Sequence, residues 1–382
     1  MQDSDWYEIK FLESAANLKG LIKKSLDKVP STKIATQIGV CIQQGRLFFE
    51  AASSAPLQIK PLQIYYGVLA FSRAVVLARK LVPIDTLTAS HGLTDVSAHN
   101  ANIENLAVKI GNRGTFQELN DAVAPLGRIW YFEDSMPKWI SNPFSNAESL
   151  RGHRIGITDI FSRIPDISRT FERTFGSSPK AWPISLYFHP ITTGQCDLRV
   201  DDPNLFTDKE SLIFLVQKWR REYPFLNQWC FSEASLAWGY SVLIFRNIKK
   251  GTLNDLAIET LVQGNNGFST THTLMGSQFE WITAFDILPP LSGGITNVAP
   301  YAIQPLGSVY LSEFSLQFLA SYLLSSLVRY RPQIWQHAIS RSFTAETPAD
   351  DKALAMVEQF LAGVLNDFPK LVVRATDYLR VH

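Results

Sequence analysis

The spacing of apolar positions changes twice along the chain and divides it into three stretches. From about Asp5 to Leu81 apolar residues recur every three or four positions, the period of an amphipathic helix. Trp6, Phe11, Leu12, Ala15, Leu18, Leu21 and Ile22 predict a first helix. Ile34, Ile38, Cys41, Ile42, Gly45 and Phe49 predict a second over 32–52. Pro56 and Pro61 bracket a short loop, and a strongly apolar third helix follows over 62–81, stopping before Pro83.

Between Leu106 and Arg199 the period shortens. LAVKI, the glycine-rich turn Gly111–Gly114 and TFQEL read as a strand entering a turn, and ISLYFHPIT with CDLRV reads as a pair of strands. A helical stretch over 157–175 is broken by Pro165, and 212–223 is a helix with Lys218, Arg220, Arg221 and Glu222 on its polar face. The runs 238–245, 256–262 and 279–287 fit a strand or a buried helix equally. Helical spacing then returns over 311–330, over 334–342 beyond Pro332, and over 353–366, with Pro369 expected to close the last helix. The polar loop TAETPADD separates the last two. The fold expected is α+β, mainly α, in three parts: helices over 1–105, a mixed region over 106–305, and helices over 306–382 that pack back on the first part as one bundle.

Composition changes this picture little. Of 382 residues, 46% are hydrophobic and 19% charged, which is globular. Lys and Arg number 36 against 35 Asp and Glu, so a polyanion would need a local basic patch. Cys41, Cys196 and Cys230 stand far apart with no C-x-x-C, which excludes a disulfide framework and a cysteine zinc site and points to a reducing, cytoplasmic compartment. The N-terminal MQDSDWYEIKF lacks a basic region followed by an apolar run, so it is not a secretory signal. The segment from Val309 to Val328 is long enough to span a bilayer, but Glu313, Gln317 and its serines make it a buried helix, and no membrane partner is expected.

Phosphate-loop, dinucleotide-binding and nucleophile-elbow signatures are all absent. Nine tryptophans and 24 phenylalanines fit core packing before base stacking. His153 lies between Arg151 and Arg154, in a small basic cluster of the kind usually solvated. His189 falls in a strand. His91 and His99 flank Asp95 without any metal-binding pattern, so no metal and no cofactor are assigned.

The densest cluster of candidate chemistry is Tyr65-Tyr66 with Arg73 on the same predicted helix, followed by Ser90-His91-Gly92-Leu93. By spacing alone Tyr65, Leu69 and Val76 need only be core. Tandem tyrosines, an arginine and alanine on one helix and a loop ending in His-Gly nevertheless resemble the signature helix of HEPN-type domains, bundles found in nucleotide- and RNA-directed systems. Further segments, QGRLFFEAA (44–52), KPLQIYYGVLAFSRA (60–74), SHGL (90–93), GTF (114–116), LVRYRPQIW (327–335) and FLAGVLNDFPKLVV (360–373), resemble the YaaC-like family of bacterial proteins. That family's function is poorly defined, so the resemblance implies architecture more than chemistry.

Arg331 and His337, six positions apart, fit the arginine–histidine pattern of HEPN ribonucleases. There the histidine moves a proton during 2′-hydroxyl attack while the arginine holds phosphate. Pro332 stands where those enzymes carry a polar residue. Arg329 and Arg331 equally suit the capping of helix-terminal carbonyls. Three functions stay open: a binding or assembly component of a defence or stress system, with a protein partner; a metal-independent endoribonuclease using Arg331 and His337; and a nucleotide-sensing module. RNA or a nucleotide would meet Tyr65, Tyr66, Arg73, His91 and Arg329. The bundle arrangement predicts that Tyr66, Arg73, His91, Arg329 and Arg331 converge, and the HEPN resemblance implies a homodimer.

Overall fold

The computed structural model describes residues 3–133, 136–189, 194–249, 261–264, 267–270, 280–292, 300–340 and 351–376. Two helices, α1 (Asp3–Leu12) and α2 (Ala15–Leu26), replace the single one expected at the N-terminus. Ser14 is the reason: its hydroxyl accepts from the Asn17 amide and caps a fresh helix. The long helices α3 (Thr32–Ser54), capped by Ser31, and α4 (Lys60–Lys80), with Pro61 in its first turn, follow the apolar spacing. Next come β1 (Leu93–Asp95), β2 (Ala107–Ile110) and α5 (Thr115–Val123), so TFQEL opens a helix directly after Gly114.

The hairpin β3 (Arg128–Glu133) and β4 (Met136–Ser141) precedes α6 (Ala147–Leu150), β5 (Arg154–Gly156), α7 (Ile157–Phe161) and α8 (Ser168–Phe175). The strands β6 (Ala181–Phe188) and β7 (Cys196–Asp202) lead to α9 (Lys209–Glu222), which opens on an Asp208–Ser211 capping box. The run at 238–245 is strand: β8 (Cys230–Ala237) and β9 (Tyr240–Arg246) form a hairpin. Then follow β10 (Val262–Gly264), β11 (Gly267–Ser269), the short α10 (Ala284–Ile287), β12 (Leu291–Ser292) and β13 (Tyr301–Ile303). The chain closes with α11 (Glu313–Tyr330), α12 (Pro332–Ile339) and α13 (Leu354–Thr376). The ambiguous run at 256–260 and most of TAETPADD lie outside the described residues.

Two compact units result, and they do not follow the expected three-part division. The first takes in 1–126, 143–181 and 306–382; the second takes in 127–142 and 182–305. Residues 106–126 and 143–181 join the helical unit because their apolar side chains complete its core. Phe116 of α5 packs against Phe318 of α11 at 5.8 Å between ring centroids, and Phe161 of α7 against Phe360 of α13 at 5.2 Å. Within this unit β1, β2 and β5 form a small antiparallel sheet.

The close pairing of α3 and α4 depends on glycine. A Cβ at Gly67 would come within 2.3 Å of the Phe49 ring, and one at Gly45 within 2.7 Å of Phe71, so the two helices approach through each other's aromatic side chains. Pro369 does not end the last helix. Phe360, Leu361, Val364, Phe368, Leu371 and Val372 keep one buried face across it, and that burial outweighs the amide proline cannot donate. Residues Glu313 to Leu327 of α11 are all buried. Among the described residues one helix, α4, is long and apolar enough to cross a membrane, and most of it is buried in the protein.

The second unit is built on an eight-stranded sheet in the order β10-β11-β8-β9-β7-β6-β13-β12, so the chain is α+β with a sheet larger than a mainly helical fold implies. Strands β6, β7, β9 and β8 pair antiparallel in that order. Alternate residues on one face, among them Leu198, Val200, Leu243 and Phe245, bury against Leu212, Leu215, Val216 and Trp219 of α9. A second sheet holds β3 and β4 alone.

Candidate functional site

Helix α4 is buried at every position from Ile64 to Ala78 except two, Tyr66 and Arg73. Seven residues are two helical turns, so both project from one face, about 10 Å apart along the axis. The neighbouring Tyr65 meets the loop carrying Ser90-His91-Gly92. That loop is fixed by backbone bonds: the Thr115 amide donates to Ser90 O, Phe116 to His91 O, and Gly111 to Gly92 O. Gln117 donates from its side-chain amide to both Gly92 O and Gly111 O at 2.9 Å. Gly114, at φ +150, lies so close that a Cβ there would sit 2.2 Å from the Gly92 nitrogen. The conjunction of SHGL and GTF in the sequence is therefore one packing unit.

This clamp delivers His91 to Tyr65. The two side chains share a hydrogen bond of 2.7 Å between Tyr65 Oη and His91 Nδ1. Tyr65 is fully buried, and burial holds its phenol well above the usual range, so it keeps its proton. His91 is pushed below its ordinary 6.5 by burial first, and then by the charges of Arg329 and Arg73. A neutral imidazole that accepts from a protonated phenol at Nδ1 carries its own hydrogen on Nε2. In that tautomer, with the phenol as donor, the ring presents an N–H donor at Nε2.

Helix α11 completes the site. Tyr322 packs edge-on to Tyr65 at 5.7 Å, lies 6.0 Å from His91, and donates to Leu93 O. The Arg329 guanidinium lies over the Tyr65 ring at 5.9 Å and the exposed Tyr330 ring at 5.0 Å, and its Nε donates to Ser325 O. Arg73 approaches from α4, near enough for its charge to act on Tyr65, His91 and the buried Cys41. Among the described residues neither Arg73 nor Arg329 forms an ion pair with a carboxylate. Tyr66 stacks on Phe48 of α3 at 5.6 Å and 27°, and lies 6.0 Å from Tyr65.

Tyr65, Tyr66, Arg73, His91 and Arg329 thus come together from segments about 250 residues apart. Arg331 is engaged elsewhere: buried at the junction of α11 and α12, its guanidinium donates to the Asp95 carboxylate and to Ala98 O. Asp95 also accepts from Ser97 and Ser326, so it ties β1 to the end of α11. His337 is exposed on α12, where it lines an open cleft of about 360 Å³ with Asn100, Asn102, Gln333, Ile334 and Ala338. Among the described residues no three His, Cys, Asp or Glu side chains are placed to hold a metal ion.

The family model described as YaaC-like Protein matches residues 4–376, nearly the whole chain and every segment that builds this site. The chain belongs to the YaaC-like family. No curated protein and no solved structure matches it. In this YaaC-like chain Phe48, Tyr322 and the pairing of Asp95 with Arg331 carry no signal in the apolar spacing. Phe48 lies inside the QGRLFFEAA segment, but its ring contact with Tyr66 depends on the close crossing at Gly45 and Gly67, which periodicity does not reveal.

Proposed function

We propose that this protein is a binding module for a phosphate-bearing ligand, held by the Arg73 and Arg329 guanidinium groups and the His91 Nε2–H. The observation that supports this reading is the convergence of two guanidinium groups, neither in an ion pair with a described carboxylate, around a neutral imidazole that offers a donor. Arginine forks match phosphate oxygens, and in a half-buried setting charge-assisted bonds are roughly twice as strong as neutral ones. The arrangement favours binding over turnover. His91 is engaged at Nδ1 by Tyr65, and His337, the histidine of the ribonuclease reading, lies on α12 in the cleft with Asn100 and Asn102. Arg331, with its charge met by Asp95, lacks the freedom a transition-state clamp needs. The likeness of Tyr65-Tyr66, Arg73 and His91-Gly92 to the HEPN signature agrees with a nucleotide or RNA ligand. It extends the proposal to a cytoplasmic homodimer working with a protein partner of a defence or stress system.

The test is thermal denaturation and titration calorimetry with inorganic tripolyphosphate, nucleoside triphosphates and a short single-stranded RNA. A ligand that binds only the folded protein raises its melting temperature. Wild type should be stabilised by at least one of these, and Arg73→Ala and Arg329→Ala should each weaken binding about tenfold or more. No stabilisation by any of them refutes the reading. Cleavage of RNA in chelator, lost in His337→Ala, would establish the ribonuclease instead.

A further inference from the structure

We infer that the ligand is a free nucleoside di- or triphosphate whose base stacks on the Phe48–Tyr66 ring pair while its phosphates reach Arg73 and Arg329. This rests on the phosphate-binding reading above and adds a base platform to it. The first support is the exposure pattern of α4. A helix otherwise closed from Ile64 to Ala78 opens at one aromatic and one cationic residue, on the same face and two turns apart. That spacing is the reach of a nucleoside and its first phosphates.

The second support is the ring pair itself. Phe48 and Tyr66 are both half-buried, stacked at 5.6 Å and 27°, and seated on two helices locked together through Gly45 and Gly67. A rigid aromatic surface loses little entropy when a base is laid on it, and stacking tolerates any base. The third is continuity. Ring contacts run from Phe48 through Tyr66 to Tyr65, and from Tyr65 to His91, Tyr322 and the Arg329 guanidinium, without a break. Through the buried Tyr65 this one packed cluster holds the Phe48–Tyr66 pair at its neutral, aromatic end and Arg329 at its cationic end, which matches a molecule with a base at one end and phosphates at the other. Inorganic polyphosphate would leave the aromatic end unused. One platform joined to one pair of arginines accommodates a single nucleotide rather than a tract of them.

The experiment compares three probes on the full chain by calorimetry: ATP, inorganic tripolyphosphate and an eight-residue oligouridine. Wild type should bind ATP at least tenfold more tightly than tripolyphosphate, the range of a stacked base. Tyr66→Leu and Phe48→Leu keep apolar bulk at the helix contact. Each should abolish that preference while leaving tripolyphosphate affinity within about twofold, a split that general loss of folding would not produce. Arg73→Ala should weaken ATP and tripolyphosphate alike. Equal affinity of wild type for ATP and tripolyphosphate overturns the base platform and leaves the phosphate site standing. Oligouridine bound more tightly than ATP overturns the free nucleotide in favour of RNA. Failure of all three probes refutes the phosphate site itself.

Discussion

Replacing Glu313 with glutamine should stabilise this protein at neutral and alkaline pH. Glu313 begins α11 and is 8% exposed, its carboxyl Oε1 accepting from the Gln317 side-chain amide at 3.3 Å. Burial is the largest cause of its raised pKa, the charges of Asp166 and Asp367 add to it, and Arg374 opposes them, leaving the carboxyl at about 8 against an ordinary 4.5. Asp166 and Asp367 are themselves raised, chiefly by burial. Below pH 4.5 the acid is protonated whether the chain is folded or not, and stability is unaffected. Between 4.5 and 8 the unfolded chain releases a proton that the folded one retains, so stability falls as pH rises, by about 1.4 kcal/mol per pH unit at most. The accumulated cost is about 3 kcal/mol at pH 7 and about 4–5 kcal/mol above pH 8. Glutamine keeps the shape and removes the ionisation. Because the folded chain keeps Glu313 protonated up to about pH 8, the substitution removes no charge from the helix N-terminus below that value. Urea unfolding of wild type and Glu313→Gln at pH 5 and pH 8 should therefore show a difference in stability that grows with pH in favour of the variant. A difference independent of pH, or one that moves in favour of wild type between pH 5 and pH 8, refutes the reasoning.

Asp95→Ala should cost about 3–5 kcal/mol by stranding the buried Arg331 charge, and Asp95→Ala with Arg331→Met should recover part of it, as chemical unfolding of both variants will show. Gly67→Ala should lower the melting temperature, with about 1–3 kcal/mol lost, because its Cβ meets the Phe49 ring at 2.3 Å; an unchanged melting curve would mean that α3 and α4 do not need the glycine crossing. His91 binds its proton less readily in the folded chain. It therefore leaves stability untouched above pH 6.5, and below that value the unfolded chain gains a proton the folded one resists, so stability falls as pH drops. His91→Gln should flatten that acid limb in thermal scans from pH 7.5 to 5.

Local features of the helical unit were legible because they rest on local physics. The spans of α3 and α4 follow from apolar period, which does not depend on the rest of the chain, although Pro61, expected in the loop, lies in the first turn of α4. The break at Ser14 is local too, but it rests on a serine cap that apolar period alone passes over; the passage of α13 through Pro369 was not legible, since it is decided by burial against elements distant in sequence. The division into units was hidden for the same reason. Nothing in LAVKI or TFQEL says that Phe116 will meet Phe318 two hundred residues later. At the site, residue types and the expectation of a meeting between the terminal helices pointed to Tyr65, Tyr66, Arg73, His91 and Arg329. The engagement of Arg331 by Asp95 had no signal, because an arginine six positions before a histidine looks the same whether or not a carboxylate waits for it.

A loop is a poor place to hold a binding group unless something removes its freedom, and the His91 loop is held at both ends of its short span. The amides of α5's first turn cap Ser90 O and His91 O, Gln117 bridges Gly92 O and Gly111 O, and the contact of Gly92 with Gly114 leaves no room for a side chain between them. Those bonds replace water on the loop's backbone, so the imidazole meets Tyr65 before any ligand arrives. The same economy of motion holds on α11. Tyr322 is anchored to Leu93 O, and Ser326 and Arg331 to Asp95, so the strand that follows His91 is fastened to the helix that carries Arg329 at three points. Arg331 therefore serves the site by position. By fixing β1 against α11 it sets the separation between His91 and Arg329, and so, on the phosphate-binding proposal, the place where an anion would meet both.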